Sequence, residues 1–258
     1  RALENEIFET YQAPALTHID ASFQLDTSNR ALPINYGDVC INYDKAWFAE
    51  HGLAVPTSLE DLTLPAYQGL LAVENPSTSS PGLAFMMATI AHFGEDGWLD
   101  YWKQLKDNQV VIAADWETAY YSNFSGSSGK GAQPLVVSYA SSPVAEFIYA
   151  EVELDEAPTA SIVAEHACWR QIEFAGIVKG TQQRALAEKF IDFLLSKDFQ
   201  EDLPLQMFVY PVLPEALLPD EFTRSSQIPE KPATLDPAYI AKNRELWVEQ
   251  WLELMLSN

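Results

Sequence analysis

Short apolar runs alternate with polar turns along this chain, and the clearest unit lies between Leu70 and Phe93. Leu70-Leu71-Ala72-Val73 reads as a short buried strand, while Leu83 to Phe93 carries apolar residues at helical spacing. Between them runs Glu74-Asn75-Pro76-Ser77-Thr78-Ser79-Ser80-Pro81-Gly82, a hydroxyl-rich turn. Ser80 is expected to cap the helix, with Pro81 at its first position. A second strand-to-turn unit follows, Leu135 to Tyr139 ending in Ala140-Ser141-Ser142-Pro143. Tyr36 to Asn42 alternates and is rich in β-formers, and Ile172 to Val178 reads as a further strand.

Helices are predicted elsewhere. Ser58 to Leu62 makes a short one, capped by Ser58 with Asp61 three residues on. Gly97 to Leu105 sets Trp98 and Trp102 four apart, a spacing that favours core packing over ligand contact. Gln182 to Ser196 follows, and Asp236-Pro237 opens a long amphipathic helix over Tyr239 to Leu256. The opening, Arg1 to Phe8, looks like the interior of a helix, and Pro14 and Pro33 punctuate the segment after it.

The chemistry gathers at the two turns. The first N–H groups of a helix lack intrahelical partners and carry partial positive charge, so a hydroxyl-rich turn there can hold an anionic or strongly polar group. Asp115-Trp116-Glu117-Thr118-Ala119-Tyr120-Tyr121 lies between the two units. Rings to stack on and hydroxyls to orient suit a flat, partly polar small molecule. Core packing is the competing reading for Trp116 and Tyr139.

Other chemistries find little support. Ser125-Gly126-Ser127-Ser128-Gly129-Lys130-Gly131 mimics a phosphate loop, but no Ser or Thr follows the lysine and the strand comes after it. His18, His51, His92 and His166 are scattered, with no zinc spacing, nucleophile elbow or dinucleotide fingerprint, so neither catalysis nor a cofactor is expected. Glu165-His166 beside Cys168 invites a Cys–His pair, yet no third group or oxyanion donor accompanies it. The net charge of −22 disfavours nucleic acid and favours the approach of a cation, although it serves solubility equally well. The 258 residues, 48% hydrophobic and 12% aromatic, can bury the core of two lobes. Cys40 and Cys168 permit one disulfide, but both sit in apolar settings where buried thiols are the commoner state. No apolar run approaches the ~18–20 residues of a membrane span.

Several of these segments resemble the thiamine-binding proteins of bacterial ABC importers. The resemblance rests on Asn35-Tyr36-Gly37, Asn42-Tyr43-Asp44-Lys45, Ser77 to Leu83, Trp116 to Tyr120, Ser138 to Pro143, Lys189 to Leu194, Tyr210-Pro211-Val212, Trp247 and Trp251. It implies a two-lobe α/β periplasmic-binding-protein fold of type II. Residues 1–42 and 171–258 would form lobe I, and residues 43–170 lobe II. It also implies a mature or trimmed chain in which the opening strands and helices of lobe I are missing.

The function implied is that of a periplasmic or extracellular protein, free or lipid-anchored. It would close on thiamine or a phosphorylated thiamine between its lobes and deliver it to an ABC permease. Ser79 then contacts ligand, Ser80 and Gly82 supply backbone donors, Trp116, Tyr120 and Tyr139 line the pocket, and Phe208 adds a ring where the family has tryptophan. Ala145 falls where a stacking tyrosine is expected. A same-fold protein for a phosphonate, a polyamine or ferric ion remains an alternative, as does a ligand-sensing receptor domain; Tyr120-Tyr121 satisfies half of a ferric site.

Overall fold

A computed structural model describes residues 2–127 and 131–257; the phosphate-loop mimic at Gly129-Lys130 lies outside the described residues. In chain order the strands are β1 (Phe8–Glu9), β2 (Leu32–Asp44), β3 (Leu71–Glu74), β4 (Val111–Ala113), β5 (Leu135–Tyr139), β6 (Thr159–Ile162), β7 (Trp169–Ala175), β8 (Ile177–Val178) and β9 (Tyr210–Pro211). The helices are α1 (Lys45–His51), α2 (Ser80–Asp107), α3 (Ser142–Ile148), α4 (Arg184–Leu194), α5 (Lys197–Met207), α6 (Asp220–Ser225) and α7 (Pro237–Leu256). A π-helical turn spans Thr118–Asn123.

Local chemistry accounts for the main boundaries. Asp44 caps α1 by accepting from Trp47 N–H at 3.1 Å, and Gly52, at φ 59°, ends it. Asp236 caps α7 by accepting from Tyr239 N–H at 2.9 Å, with Pro237 first in the helix. The two helices expected over 83–93 and 97–105 form one element, α2, broken at Gly94, whose φ of 71° and ψ of 175° interrupt the helix. The Ser58 to Leu62 segment is a 3-10 turn, Glu60–Thr63, entered through reciprocal Ser58–Asp61 hydrogen bonds of 3.2 Å.

The chain divides into two compact units, Arg1–Gly37 with Gln171–Thr223, and Asp38–Arg170 with Arg224–Asn258. In the first unit, residues expected to be helical instead form turns and then β1, which pairs antiparallel with β8. The Glu9 carboxylate accepts from Gly180 N–H at 2.9 Å and pairs with Arg184, tertiary ties that override a local helical pattern. Gly176 splits the expected Ile172 to Val178 strand into β7 and β8; a Cβ there would lie 2.5 Å from the Arg30 carbonyl oxygen. Tyr36 stacks on Tyr210 at 5.3 Å, and Tyr210 meets Phe222 edge-on at 5.7 Å. Gln200 is wholly buried: its Nε2 donates to Ile34 and Leu194 carbonyls at 2.8 Å, and its Oε1 accepts from Val212 N–H at 2.9 Å and Leu213 N–H at 3.2 Å.

In the second unit, strands run in the order β4-β3-β5-β2-β6, with β3 parallel to both β4 and β5, and β2 antiparallel to β5 and β6. One sheet face packs against α2 and α7 over Phe85, Met86, Trp98, Trp102, Trp247 and Trp251. Trp102 meets Trp251 edge-on at 5.3 Å, and its indole N–H donates to Thr89 at 2.9 Å. Each buried tryptophan removes roughly 150–250 Å² from water, on the order of 4–6 kcal/mol of transfer free energy. Those contacts hold α7 in the second unit, whereas the resemblance groups residues 171–258 together; tryptophan packing is a long-range property that local pattern does not carry.

β2 and β7 pair, and within the second unit Arg170 grips the buried Asp38 carboxylate through two hydrogen bonds of 2.9 Å. Cys40 and Cys168 form a disulfide with Cα atoms 4.4 Å apart, correcting the expectation of free thiols. The Cys168–His166 pairing is thereby excluded. Thiol titration of the denatured, unreduced protein is expected to find no free cysteine, and two after reduction. Replacing both by serine is expected to cost roughly 2–5 kcal/mol in unfolding stability. Two free thiols before reduction would contradict the pairing.

Candidate ligand-binding site

The hydroxyl turn begins where β3 ends. Asn75 N–H donates to the Ala113 carbonyl at 2.9 Å, and Asn75 Oδ1 accepts from the backbone and hydroxyl of Ser77 at 2.9 and 2.8 Å. This side-chain turn folds the segment back, so that Thr78 and Ser79 N–H groups reach the Asn75 carbonyl at 3.2 and 3.0 Å. Ser79, not Ser80, is the helix cap. It holds extended dihedrals, φ −129° and ψ 130°, and its Oγ accepts from Gly82 N–H at 3.4 Å. Ser80 and Pro81 therefore occupy the first two helical positions, and Ser80 is exposed while Ser79 is buried.

A cavity of about 390 Å³ opens over this turn, lined by Pro76 to Ser80, Leu83, and Arg244, Glu245 and Val248 of α7. The contribution of Arg244 is not legible in the sequence, where the turn reads as an anion site without a basic side chain. Nothing local links Arg244 to Ser79; only the docking of α7 does.

Trp116 sits at the opposite end of the turn's hydrogen-bond network. The Thr78 hydroxyl donates to the Ala114 carbonyl, two residues before the tryptophan. Trp116 stacks on Tyr120 with centroids 5.0 Å apart and meets Tyr121 edge-on at 5.5 Å. Its indole N–H donates to Ser138 Oγ at 2.9 Å, which in turn lies 2.8 Å from Ser142 Oγ. These groups share the sheet face of Ala72, Ala113 and Val136. Tyr139, one residue beyond Ser138, packs with the larger core on the opposite face, as strand alternation requires. Ser79 and Ser80 therefore line the cavity, Trp116 and Tyr120 form a separate stack joined to the turn through Thr78 and Ala114, and Tyr139 packs with the core on the other face of the sheet. Phe208 belongs to the first unit, where it ends α5 at φ 53° and stacks on Phe222 at 6.3 Å. Ala145 is half-buried on α3.

Carboxyl groups on this face are electrostatically unusual. Glu74 is fully buried, and neither carboxyl oxygen has a hydrogen-bond partner among the described residues. Burial pushes its pKa up to about 8, so it is neutral at pH 7. Glu146 on α3 is also raised, by burial first, with the Tyr120 hydroxyl partly offsetting. Tyr120 is raised by burial and then by the Glu146 charge. Stacked rings, hydroxyls, a helix N-terminus and nearby acids can hold a flat heterocycle and a polar tail.

The profile of the family described as bacterial extracellular solute-binding protein matches residues 1–243. The thiamine-binding periplasmic protein of Escherichia coli K12 is 30% identical over 223 residues, 85% of this chain. The chain spans 62% of the length of that relative. The solved periplasmic thiamin binding protein superposes with a TM-score of 0.80 at 25% identity, covering 100% of this chain and 75% of its own. The periplasmic binding protein AfuA of Actinobacillus pleuropneumoniae, with fructose-6-phosphate bound, superposes at 0.78 with 19% identity, covering 100% of this chain and 79% of its own, and speaks to fold alone.

Because Glu74 binds its proton more tightly when folded, unfolding stability should fall as pH rises from the unfolded value of 4.5 to the folded value of about 8. Thermal melts of Glu74→Gln should show a flatter profile over that window, and the variant should gain up to about 4 kcal/mol relative to the parent by pH 8. Parallel profiles for the two proteins would contradict a neutral buried Glu74.

Proposed function

Because the chain belongs to the bacterial extracellular solute-binding proteins, we propose that it captures thiamine or a phosphorylated thiamine outside the cytoplasm and passes it to an ABC permease. The observation that carries this reading is the Trp116–Tyr120 stack, its indole anchored on Ser138 and its chain tied to the hydroxyl turn through Thr78. Thiamine is a flat two-ring cation with a hydroxyethyl tail, and the stack supplies an aromatic surface for one ring. Ser79, Ser80 and Gly82 supply the polar end, at the N-terminus of α2. Arg244 beside that turn favours a phosphorylated tail. The relatives named thiamine-binding support the choice of ligand, and the disulfide suits an oxidising compartment. Binding and release, without covalent chemistry, is the activity the family predicts.

Titration calorimetry with thiamine and thiamine monophosphate is expected to give micromolar or tighter dissociation constants for the full-length protein. Trp116→Ala should weaken both at least about tenfold, since losing a stacked ring and its buried area removes roughly 1.4 kcal/mol or more. A folded, native-like melt of the variant must accompany that loss. No heat from either ligand with folded parent protein would overturn the thiamine reading.

A further inference from the structure

The position of Glu146 goes beyond the ligand reading and rests on it. Ser142 opens α3 and bonds Ser138, the residue that holds the Trp116 indole. Glu146 lies one helical turn after Ser142, so the two share a face of α3. That face is turned toward the aromatic cluster: the Glu146 charge acts on the hydroxyls of Tyr121 and of Tyr120, whose ring stacks on Trp116 and whose buried hydroxyl has no hydrogen-bond partner among the described residues. Among the described residues, burial and the Tyr120 hydroxyl act on Glu146, and no cation does. Arg224, which packs near α3, is engaged over the Phe147 ring at 5.4 Å and with the Asp155 carbonyl at 3.1 Å. Glu146 is half-buried, not sealed, so a ligand on the stack can reach it.

A carboxylate partly withdrawn from water beside the two tyrosines that pack on Trp116 is incomplete as an electrostatic arrangement. Its charged form is disfavoured until a positive partner arrives. Rings whose faces carry negative potential favour the same partner. We propose that Glu146 is a ligand-binding residue that selects positive charge, pairing with a cationic nitrogen heterocycle stacked on Trp116. The polar end at the hydroxyl turn then fixes orientation, and Glu146 decides which heterocycles are accepted. A neutral ring of the same shape gains the stacking but leaves the acid without its partner.

The test compares thiamine with 3-deazathiamine, in which a neutral thiophene replaces the thiazolium ring, by calorimetry on the full-length protein, Glu146→Gln and Glu146→Asp. The parent is expected to prefer thiamine by tenfold or more. Glu146→Gln should bind the two within about threefold of each other, with the neutral analogue held as tightly as by the parent; Glu146→Asp should keep the preference. A glutamine variant that retains the parent's preference, or a parent without preference, overturns the proposal while leaving the thiamine reading standing. A parent that binds neither compound overturns the thiamine reading and this proposal together. If the glutamine variant melts early, loss of preference in Glu146→Ala with retained neutral-analogue binding supports the proposal equally, and a retained preference overturns it.

Discussion

A side chain at position 82 would place its Cβ 2.5 Å from the Glu74 carbonyl oxygen and 3.0 Å from the Glu74 Cβ. Only glycine lets α2 begin directly on the end of β3, and much of the second unit's site follows from that contact. It seats Ser79 as the cap, so the hydroxyl turn is pinned at both ends by Asn75 and Gly82. It helps to seal Glu74 beneath the turn, where the carboxyl is cheaper to keep neutral than charged. Thr78 then reaches across to Ala114, which sets where the chain carrying Trp116 leaves β4. One close backbone approach therefore positions a helix terminus, a buried acid and an aromatic stack.

The features legible in the sequence are those written locally. A strand of four apolar residues, a hydroxyl turn and an amphipathic helix appear as β3, the turn and the first half of α2. Asp236-Pro237 signals α7 because a cap and a first-position proline act within one turn. Trp98 and Trp102 are readable as core from their spacing, and both are buried. The cap itself falls one residue earlier than expected, since Ser79 and Ser80 are chemically alike and only the dihedrals separate them.

The features that are not legible depend on contacts distant in sequence. Cys40 and Cys168 are 128 residues apart, and only the pairing of β2 with β7 brings them together. β1 exists because β8 offers it an edge, against a local pattern that reads as helix. Arg244 reaches the hydroxyl turn only because Trp247 and Trp251 dock α7 on α2. Motif groups Tyr139 with Trp116, yet period-two alternation sends it to the other face of the sheet from Ser138. Motif proximity and spatial proximity part company at a strand end for that reason.

On the proposed reading, electrostatics and packing suit one kind of ligand. A chain of net charge −22 presents an aromatic stack next to one partly withdrawn acid, and a helix N-terminus with an arginine nearby. A ligand positive at its ring system and polar or anionic at its tail matches both ends. The most direct measurement is a crystal structure of the full-length protein with thiamine monophosphate. The account predicts a ligand ring stacked on Trp116 and the phosphate against the Ser79–Gly82 turn. Ligand density touching neither Trp116 nor that turn would contradict it.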